Sequence, residues 1–222
     1  MLISVTADIV LFSIKENNVQ VLLIKRGGHP FLDHWALPGG FAESDETIFE
    51  TAKRELYEET SIKDIPIEEI GVFSSPNRDP RSWTMTDSFL AIVDKDKIKP
   101  IAGDDAKDAK WFALNEIPTL AFDHDRILRD AVPKLKEKIH FEPIGFELLP
   151  DVFTMPQLQA LYESILNVKF DRRNFANKIL KLGLLEEYGE RPKNKGSRIP
   201  IKYTLKKENN AKLKSSGCRL EF

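Results

Sequence analysis

Residues 40–62 read GFAESDETIFETAKRELYEETSI, and their acidic residues follow the period of a helix. Glu55, Glu58 and Glu59 stand at positions i, i+3 and i+4, which places three carboxylates on one face of an α-helix. Like charges one turn apart destabilise an isolated helix by about 0.2–0.5 kcal/mol per pair. Because hard divalent cations such as Mg²⁺ take oxygen ligands, the pattern predicts a metal site.

The residues around this helix resemble a known motif. Five residues separate Gly40 from Glu46, and seven more precede Arg54-Glu55. The register continues through Leu56, Glu58, Glu59 and Ile62. This spacing resembles the Nudix box of the Nudix hydrolases, with one departure, since Ser61 stands where the family has glycine. A solvated acidic helix is the alternative, but it does not account for the paired glycines or for Arg54.

The resemblance implies a catalytic set and a metal ion. The implied catalytic residues are Glu46, Arg54, Glu55, Glu58 and Glu59. The implied metal ligands are Gly40, Glu55, Glu58 and Glu59, with Mg²⁺ or, alternatively, Mn²⁺ as the ion. In the family, the arginine also reaches the earlier glutamate and orients the ligands, which here means Arg54 and Glu46.

Local signals predict the bounds of the acidic helix. Either Asp45 or Thr47 can cap a helix over residues 48–60. Its apolar stripe, Ile48, Ala52 and Leu56, runs beside the three glutamates. The acids should therefore lie at the edge of a buried face, partly shielded from water.

Ser61 is predicted to end this helix. The glycine of the family motif suits a left-handed residue after the last turn. Serine can adopt that conformation at a cost of about 1 kcal/mol. We therefore expect a shifted helix end to lower turnover without removing the metal ligands.

The composition indicates a soluble globular protein. The chain has 222 residues, 41% hydrophobic and 31% charged, which allows one large domain or two small ones. No apolar run approaches the ~20 residues of a membrane span, and the first residues lack the basic region of a secretory signal. Cys218 is the single cysteine, so no intrachain disulfide can form. We expect a cytoplasmic protein with no membrane partner.

Charge is distributed unevenly along the chain. Residues 1–150 carry 18 Lys and Arg against 27 Asp and Glu, a net charge of −9. Residues 151–222 carry 15 against 8, a net charge of +7. This reversal indicates two domains with different partners, the basic one facing a polyanion.

Short patterns predict the remaining elements of the acidic half. Strands are predicted at residues 5–12, 19–25, 70–73 and 83–94. The first two are joined by the turn residues Glu16-Asn17-Asn18 and should form a hairpin. Residues 122–138 have helical periodicity, with Asp123 at the predicted start and His124 as a capping or packing residue.

The loop SSPNRDPRSW, residues 74–83, offers groups for a phosphorylated ligand. Arg78 and Arg81 can contact phosphate or ribose, and Trp83 can stack on a base. An exposed turn around Asp79-Pro80 explains the same residues equally well. A similar DPRxW stretch occurs in Nudix proteins that handle ADP-ribose, and this resemblance favours binding. The candidate substrate-binding residues are Arg26, Arg78, Arg81 and Trp83.

An irregular bridge with two prolines predicts a boundary that divides the chain into domains 1–147 and 148–222. In the second domain, Thr154 should cap a helix through Leu166, and Asp171 should cap a helix from Arg172 to Leu182. Two strand-like segments, residues 184–188 and 201–205, then flank a basic loop. This order of elements is typical of a winged helix-turn-helix.

The second helix of this domain has two different faces. Phe175, Ile179, Leu180 and Leu182 are suited to a core. Outward Arg and Asn side chains can read guanine and adenine in a major groove, and basic loop residues suit phosphate contacts. The candidate DNA-binding residues are Arg172, Arg173, Asn174, Asn177, Lys178, Arg191, Lys193, Lys195 and Arg198. The alternative is a helical dimerisation domain with a solvated basic face.

Over nearly all of its length the chain resembles the Nudix-related transcriptional regulators. The implied architecture is an α/β (α+β) Nudix fold, a mixed sheet sandwiched by helices, followed by a small winged helix-turn-helix domain. The implied function is Mg²⁺-dependent binding and hydrolysis of ADP-ribose or a related nucleotide sugar, coupled to binding of double-stranded DNA by a homodimer. Two alternatives stay open: a sensing repressor without catalysis, and a Nudix hydrolase whose basic tail only dimerises.

Overall fold

The computed structural model describes residues 2–15, 18–95, 98, 100, 101, 106–141, 148–189 and 200–206. The chain forms two compact units, one of residues 1–15 and 19–134 and one of residues 16–18 and 135–222. No helix in the described ranges is long and apolar enough to cross a membrane.

The first unit contains a seven-stranded mixed sheet. Its strands are β1 (Ser4–Lys15), β2 (Asn18–Arg26), β3 (Trp35–Ala36), β4 (Gly39–Phe41), β5 (Glu68–Phe73), β6 (Thr84–Ile92) and β7 (Ala106–Ala113). The order is β3-β2-β1-β6-β5, with β4 paired to β1 and β7 paired to β2. Only the β1–β6 pair is parallel among the described pairings. The expected mixed sheet and the first four expected strands are therefore present.

Strand β1 lies at the centre of this sheet, and its residues 6–13 are all buried. Such a strand is covered on both faces, which explains its nearly continuous apolar sequence. Asp8 is the charged exception, at 5% exposure. In the antiparallel pairing with β4, Asp8 lies opposite Gly39, and Ala7 lies opposite Gly40. The register therefore brings the paired glycines beside a buried carboxylate.

Helix α1 (Ile48–Thr60) has the bounds expected from its sequence. Thr47 is the N-cap and forms a capping box with Glu50, because each residue's side chain bonds to the other's backbone N–H. Ser61 ends the helix in the left-handed conformation, with φ of 59° and ψ of 17°. The buried Ala52 and Leu56 join the core formed by the central strands.

Helix α2 (His124–Phe141) starts two residues later than the helical periodicity predicted. Its buried residues Ile127, Ala131, Leu135 and Ile139 recur at helical spacing. The helix begins in the first unit, and its residues from 135 onward belong to the second.

The second unit contains two further helices and a three-stranded sheet. The elements are β8 (Phe153–Thr154), α3 (Met155–Leu166), α4 (Arg172–Lys181), β9 (Leu185–Glu187) and β10 (Lys202–Leu205). Strand β10 pairs antiparallel with both β8 and β9. Thr154 and Asp171 are the N-caps of the two helices, and Gly183 follows α4 with φ of 68°, as expected. Sequence reasoning missed the short strand β8.

One expected core residue of α4 is instead exposed. Phe175 and Ile179 are buried at 1% and 0% exposure. Leu180 is 45% exposed, so the expectation for this side chain was wrong. Since consecutive helical residues are about 100° apart around the axis, a narrow buried stripe through positions 175 and 179 leaves position 180 outside it.

Candidate functional site

A cavity of about 650 Å³ opens in the first unit, beside strand β4 and the acidic face of α1. Its walls combine negative and positive side chains. The acidic lining residues are Asp8, Glu43, Glu55, Glu58, Glu59 and Asp79, and the arginines are Arg26, Arg54, Arg78 and Arg81. Because the carboxylates outnumber the guanidiniums, the cavity wall has a surplus of negative charge that a cation can balance.

Glu59 and Glu55 are the shielded acids of α1. The backbone N–H of Gly39 donates to Glu59 Oε2 at 2.8 Å. Burial raises the pKa of Glu59 to about 8, and the nearby charges of Glu55 and Asp8 add to this effect. Burial also raises the pKa of Glu55, although Arg54 opposes the shift. Both carboxyls are therefore held where a negative charge is costly without a counterion.

Arg54 connects the acids of the α1 region. Its guanidinium donates to Glu46 at 2.7 and 3.0 Å, to Glu55 at 2.8 Å and to Glu58 at 3.0 Å. A further bond reaches the carbonyl oxygen of Phe41 at 3.0 Å. The hydrogen bonds from Arg54 hold the pKa of Glu46 at about 2, and the acids raise the pKa of Arg54 itself. The structure places Arg54 on Glu46, as the resemblance implied.

The three glutamates of α1 do not form a closed ligand set in this structure. Within the described ranges, no three acidic, histidine or cysteine side chains are gathered as a metal-binding group. The reason is that Glu55 and Glu58 lie on Arg54, while Glu59 accepts from Gly39. The expectation of three neighbouring carboxylates on one helix face is met, but two of them accept from Arg54 and the third accepts from Gly39.

The donor set nevertheless suits a hard divalent cation. All of the side-chain donors are carboxylate oxygens, the ligands that Mg²⁺ prefers. Gly40 lies directly against Glu55, so close that a Cβ at this position would collide with the carboxylate. The backbone of Gly40 can therefore approach an ion held by that group. Glu58 is 54% exposed and can turn from Arg54 toward an ion without breaking buried contacts.

Arg78 has a different environment from the one its sequence context suggested. Its side chain is 4% exposed and lies between Asp123, at 2.8 Å, and Asp8, at 3.3 Å. The ion pair joins strand β1, the loop after β5 and the residue before α2. Arg78 does border the cavity, but the buried Asp8 and the half-buried Asp123 balance its charge.

Trp83, the predicted stacking residue, does not line the cavity. It is 42% exposed and precedes β6, at the end of the loop. The structure thus brings Arg26 and Arg81 to the cavity wall, but not the indole that was grouped with them.

Two phenylalanines provide the aromatic surface that was expected from Trp83. The guanidinium carbon of Arg81 lies 4.8 Å from the ring centre of Phe41 and 5.4 Å from that of Phe122. The guanidinium carbon of Arg26 also lies over Phe122, at 4.8 Å. Phe41 directly follows the paired glycines, which was a usable signal, whereas nothing in the local sequence distinguishes Phe122.

His124 is a packing residue at the cavity wall. Its Nδ1 accepts from the backbone N–H of Leu37 at 2.9 Å, and its Nε2 lies 3.5 Å from Asp8. Burial lowers the pKa of the imidazole. The neutral ring therefore carries its proton on Nε2 and faces the carboxylate of Asp8. Sequence reasoning did not identify Asp8, because a lone acid in an apolar strand has no spacing partner.

In the second unit, the polar face of α4 is open to solvent. The predicted DNA-binding residues of this helix are all exposed: Arg172, Arg173, Asn174, Asn177 and Lys178. Asp171 caps the helix by accepting from the backbone N–H of Asn174 at 2.9 Å. The predicted loop residues Arg191, Lys193, Lys195 and Arg198 lie outside the described residues.

Comparison with protein-family models assigns both parts of the chain. The model described as the NUDIX domain matches residues 3–134. The model described as the NrtR DNA-binding winged helix domain matches residues 145–205. Both expected domain types are thereby confirmed.

Relatives with similar sequences point in the same direction. The chain is 32% identical to the ADPR responsive transcriptional repressor NtrR of Acinetobacter baylyi over 186 residues, which are 82% of this chain and 74% of the relative. It is 46% identical to the ADP-ribose pyrophosphatase of Methanocaldococcus jannaschii over 115 residues, 52% of this chain and 67% of the relative.

A solved structure also resembles the whole chain. Shewanella oneidensis NrtR complexed with a 27mer DNA superposes with a TM-score of 0.75 at 30% identity. The match covers 97% of this chain and 96% of that one. The similarity therefore extends through both parts of the molecule.

Proposed function

The chain belongs to the Nudix family and joins a Nudix domain to an NrtR-type winged helix domain, and on this basis we propose that it is an ADP-ribose-responsive DNA-binding regulator that also hydrolyses ADP-ribose. The observation that carries the proposal is the cavity of the first unit, which combines the complete acidic set of α1 with arginines that border the same space. The division at residues 147 and 148, the cytoplasmic location and the homodimer belong to this proposal.

The ligand has chemistry that matches the cavity. ADP-ribose has a diphosphate between two ribose units, so it presents negative charge at its centre and polar groups at both ends. Arg26 and Arg81 would receive the phosphate oxygens by charge-assisted hydrogen bonds. The relatives described as responding to or hydrolysing ADP-ribose support this choice of ligand.

Nudix hydrolases generally use divalent metal ions, and here we propose Mg²⁺, with Mn²⁺ as a substitute. The carboxylates of Glu55, Glu58 and Glu59 would hold the ion together with the backbone of Gly40. A bound ion would neutralise charge on the diphosphate and lower the pKa of a water molecule that attacks phosphorus. The products would be AMP and ribose 5-phosphate.

The chain's own residues prepare this site. Arg54 fixes Glu46 and keeps Glu55 at the cavity wall through bonds of 2.7–3.0 Å. The N–H of Gly39 orients Glu59. Since the raised pKa of Glu59 keeps a proton on this carboxyl near neutral pH, binding of a cation must release that proton.

DNA binding would use the exposed face of α4. Arg172, Arg173, Asn174, Asn177 and Lys178 would enter the major groove, and the basic loop with Arg191, Lys193, Lys195 and Arg198 would contact phosphates. ADP-ribose would shift the equilibrium between DNA-binding and non-binding forms of the homodimer, because it binds one form more tightly.

The test of the enzymatic part is a hydrolysis assay with ADP-ribose and Mg²⁺ that measures AMP release. We expect wild-type turnover and a fall of about hundredfold or more in Glu58→Gln and Glu59→Gln. Glu116→Gln, an exposed glutamate outside the cavity, is the matched control and should behave as wild type. Equal turnover in the cavity variants would contradict hydrolysis at this site.

A regulator without hydrolysis is the second candidate. It is favoured by one observation: Glu55 and Glu58 pair with Arg54 and, among the described residues, are not gathered into a metal-binding group. A mobility-shift assay with the chain's own upstream DNA distinguishes both regulator candidates from a hydrolase that does not bind DNA. ADP-ribose should release the DNA, and absence of binding at low salt would remove the regulatory proposal.

A further inference from the structure

The four arginines of the cavity differ in how completely their charges are balanced. Arg54 bonds to three glutamates and a carbonyl oxygen. Arg78 is nearly inaccessible and lies between two carboxylates, Asp8 and Asp123. These two guanidiniums serve the protein's own acids and have no surplus positive charge for a ligand.

Arg26 and Arg81 are in the opposite situation. Arg81 has one carboxylate partner, Asp79, and its side chain is 39% exposed. Arg26 donates Nε to the carbonyl oxygen of Pro30 at 3.0 Å, and no ion pair is found for it among the described residues. Both therefore keep terminal nitrogens that can donate to an anion.

These two guanidiniums lie over the same aromatic ring. Arg26 is 4.8 Å and Arg81 is 5.4 Å from the centre of Phe122. Burial and the charge of Arg81 both lower the pKa of Arg26, while the nearby charges of Glu59, Asp79 and Asp8 oppose this shift. Two positive charges held on one ring repel each other, and an anion bound at their remaining terminal nitrogens would relieve this repulsion beyond what the carboxylate of Asp79 already does. It is the reverse of the acidic set of α1, which needs a cation.

Phe122 has an unfavourable backbone conformation, and its ring packs against two neighbouring rings. Its φ is 55°, in the left-handed region that bulky residues rarely adopt. Phe31 packs on it edge to face with ring centres 4.8 Å apart, and His124 lies 5.3 Å away. Unfavourable backbone conformations persist where the surroundings require them, often at binding sites.

Asp79 fixes the direction of Arg81. Its carboxylate is 3% exposed and accepts from Arg81 Nε at 3.0 and 3.2 Å and from Nη2 at 2.7 Å. It also accepts from the backbone N–H of Arg81 at 2.9 Å. This fork leaves Nη1 as the terminal nitrogen available to a ligand.

We propose that Asp79 and Phe122 are positioning residues of an anion site, made by Arg26 and Arg81, that binds the diphosphate of ADP-ribose without a metal ion. The inference rests on the proposed function and deepens it. It divides the cavity into a part that recognises the ligand and a part, at the acids of α1, that serves hydrolysis. Arg78, which directly precedes the DPR sequence of residues 79–81, is excluded from the ligand site.

The test is calorimetric titration of the full chain with ADP-ribose in EDTA. Wild type should bind, Asp79→Asn should raise Kd about tenfold, and Phe122→Leu should raise it about fivefold. Asp33→Asn is the matched control, because it removes the acid of an exposed Lys107 pair outside the cavity and should bind as wild type. With Mg²⁺, Asp79→Asn should raise KM and leave kcat within about twofold.

A double-mutant cycle separates positioning from a general structural effect. If Asp79 acts through Arg81, then Asp79→Asn should add little to the Kd of an Arg81→Gln chain. Full additivity would overturn the assignment of Asp79, and wild-type binding lost in EDTA would overturn metal independence. If wild type binds no ADP-ribose even with Mg²⁺, the proposed function fails, and this inference fails with it.

Discussion

The cavity of the Nudix domain and the exposed face of α4 both collect charged residues, but they balance charge in different ways. In the cavity, oppositely charged groups such as Arg78 and Asp8 are buried and form ion pairs with each other. On α4, Arg172 and Arg173 are exposed to solvent. A buried charge depends on its partner for stability, whereas a solvated charge has water and becomes important only when a ligand arrives. Substitution of an arginine should therefore change the free energy of unfolding in the cavity much more than on α4.

The largest expected difference concerns two arginines. Arg78→Met should reduce the free energy of unfolding by about 3–5 kcal/mol, because it leaves the buried Asp8 and the half-buried Asp123 without a counterion. Arg172→Met, on α4, should change it by less than about 0.5 kcal/mol. Urea unfolding of both variants measures the contrast. Equal losses would show that burial does not distinguish the two regions.

The next largest effect is a dependence of thermal stability on pH, which we expect from Glu59 in the cavity. The pKa of Glu59 is about 8 in the folded chain against an ordinary value of 4.5, so folding favours its protonated form. The stabilisation from this group is complete below pH 4.5 and is lost as the pH rises through about 8. In EDTA, the Tm of wild type should fall over this range more than that of Glu59→Gln. A bound cation should restore it, and parallel curves would contradict the assignment.

A smaller effect is expected on the α4 side. Arg173→Ala should weaken DNA binding about tenfold and lower the slope of log affinity against log salt by about 0.9 if it contacts one phosphate. ADP-ribose hydrolysis should not change, since the residue is not in the cavity. Mobility shifts at several salt concentrations measure the slope, with Lys107→Ala as the control. A changed hydrolysis rate would mean that the two regions are not separable in this way.

The smallest expected effect concerns the end of α1. Ser61 has φ of 59°, so Ser61→Gly should raise the free energy of unfolding by about 0.5–1 kcal/mol. Hydrolysis should rise at most modestly, because the proposed metal ligands precede this residue. Thermal melts and AMP release measure both quantities. A loss of stability would show that the left-handed conformation of Ser61 has no strain to relieve.

Local features of the fold were predictable from the sequence. The bounds of α1, its Thr47 cap and the left-handed Ser61 depend on residues within one or two turns. The bonds from Arg54 to Glu46 were also expected, because the motif relates two nearby positions. In each case the determining contacts are close in the sequence, where spacing is informative.

The misplaced residues depend on distant contacts. Arg78 was expected at the ligand, but its partners Asp8 and Asp123 lie 70 and 45 residues away along the chain. Trp83 was grouped with Arg81 because the two are close in sequence. The aromatic ring that lies near Arg81 in the structure is instead Phe122, two residues before α2. Single residues of this kind have no period or spacing to identify them, and only the assembled sheet brings them together.

Arg54 gives three glutamates a counterion that belongs to the chain itself. Its guanidinium already supplies positive charge to Glu46, Glu55 and Glu58 before any ion arrives. If a divalent cation binds to the acids of α1, Arg54 would remain as the counterion of Glu46, Glu55 and Glu58 whenever that cation is absent. Loss of the cation would then leave these three glutamates compensated, and Glu59 would be the acid whose charge depends on it.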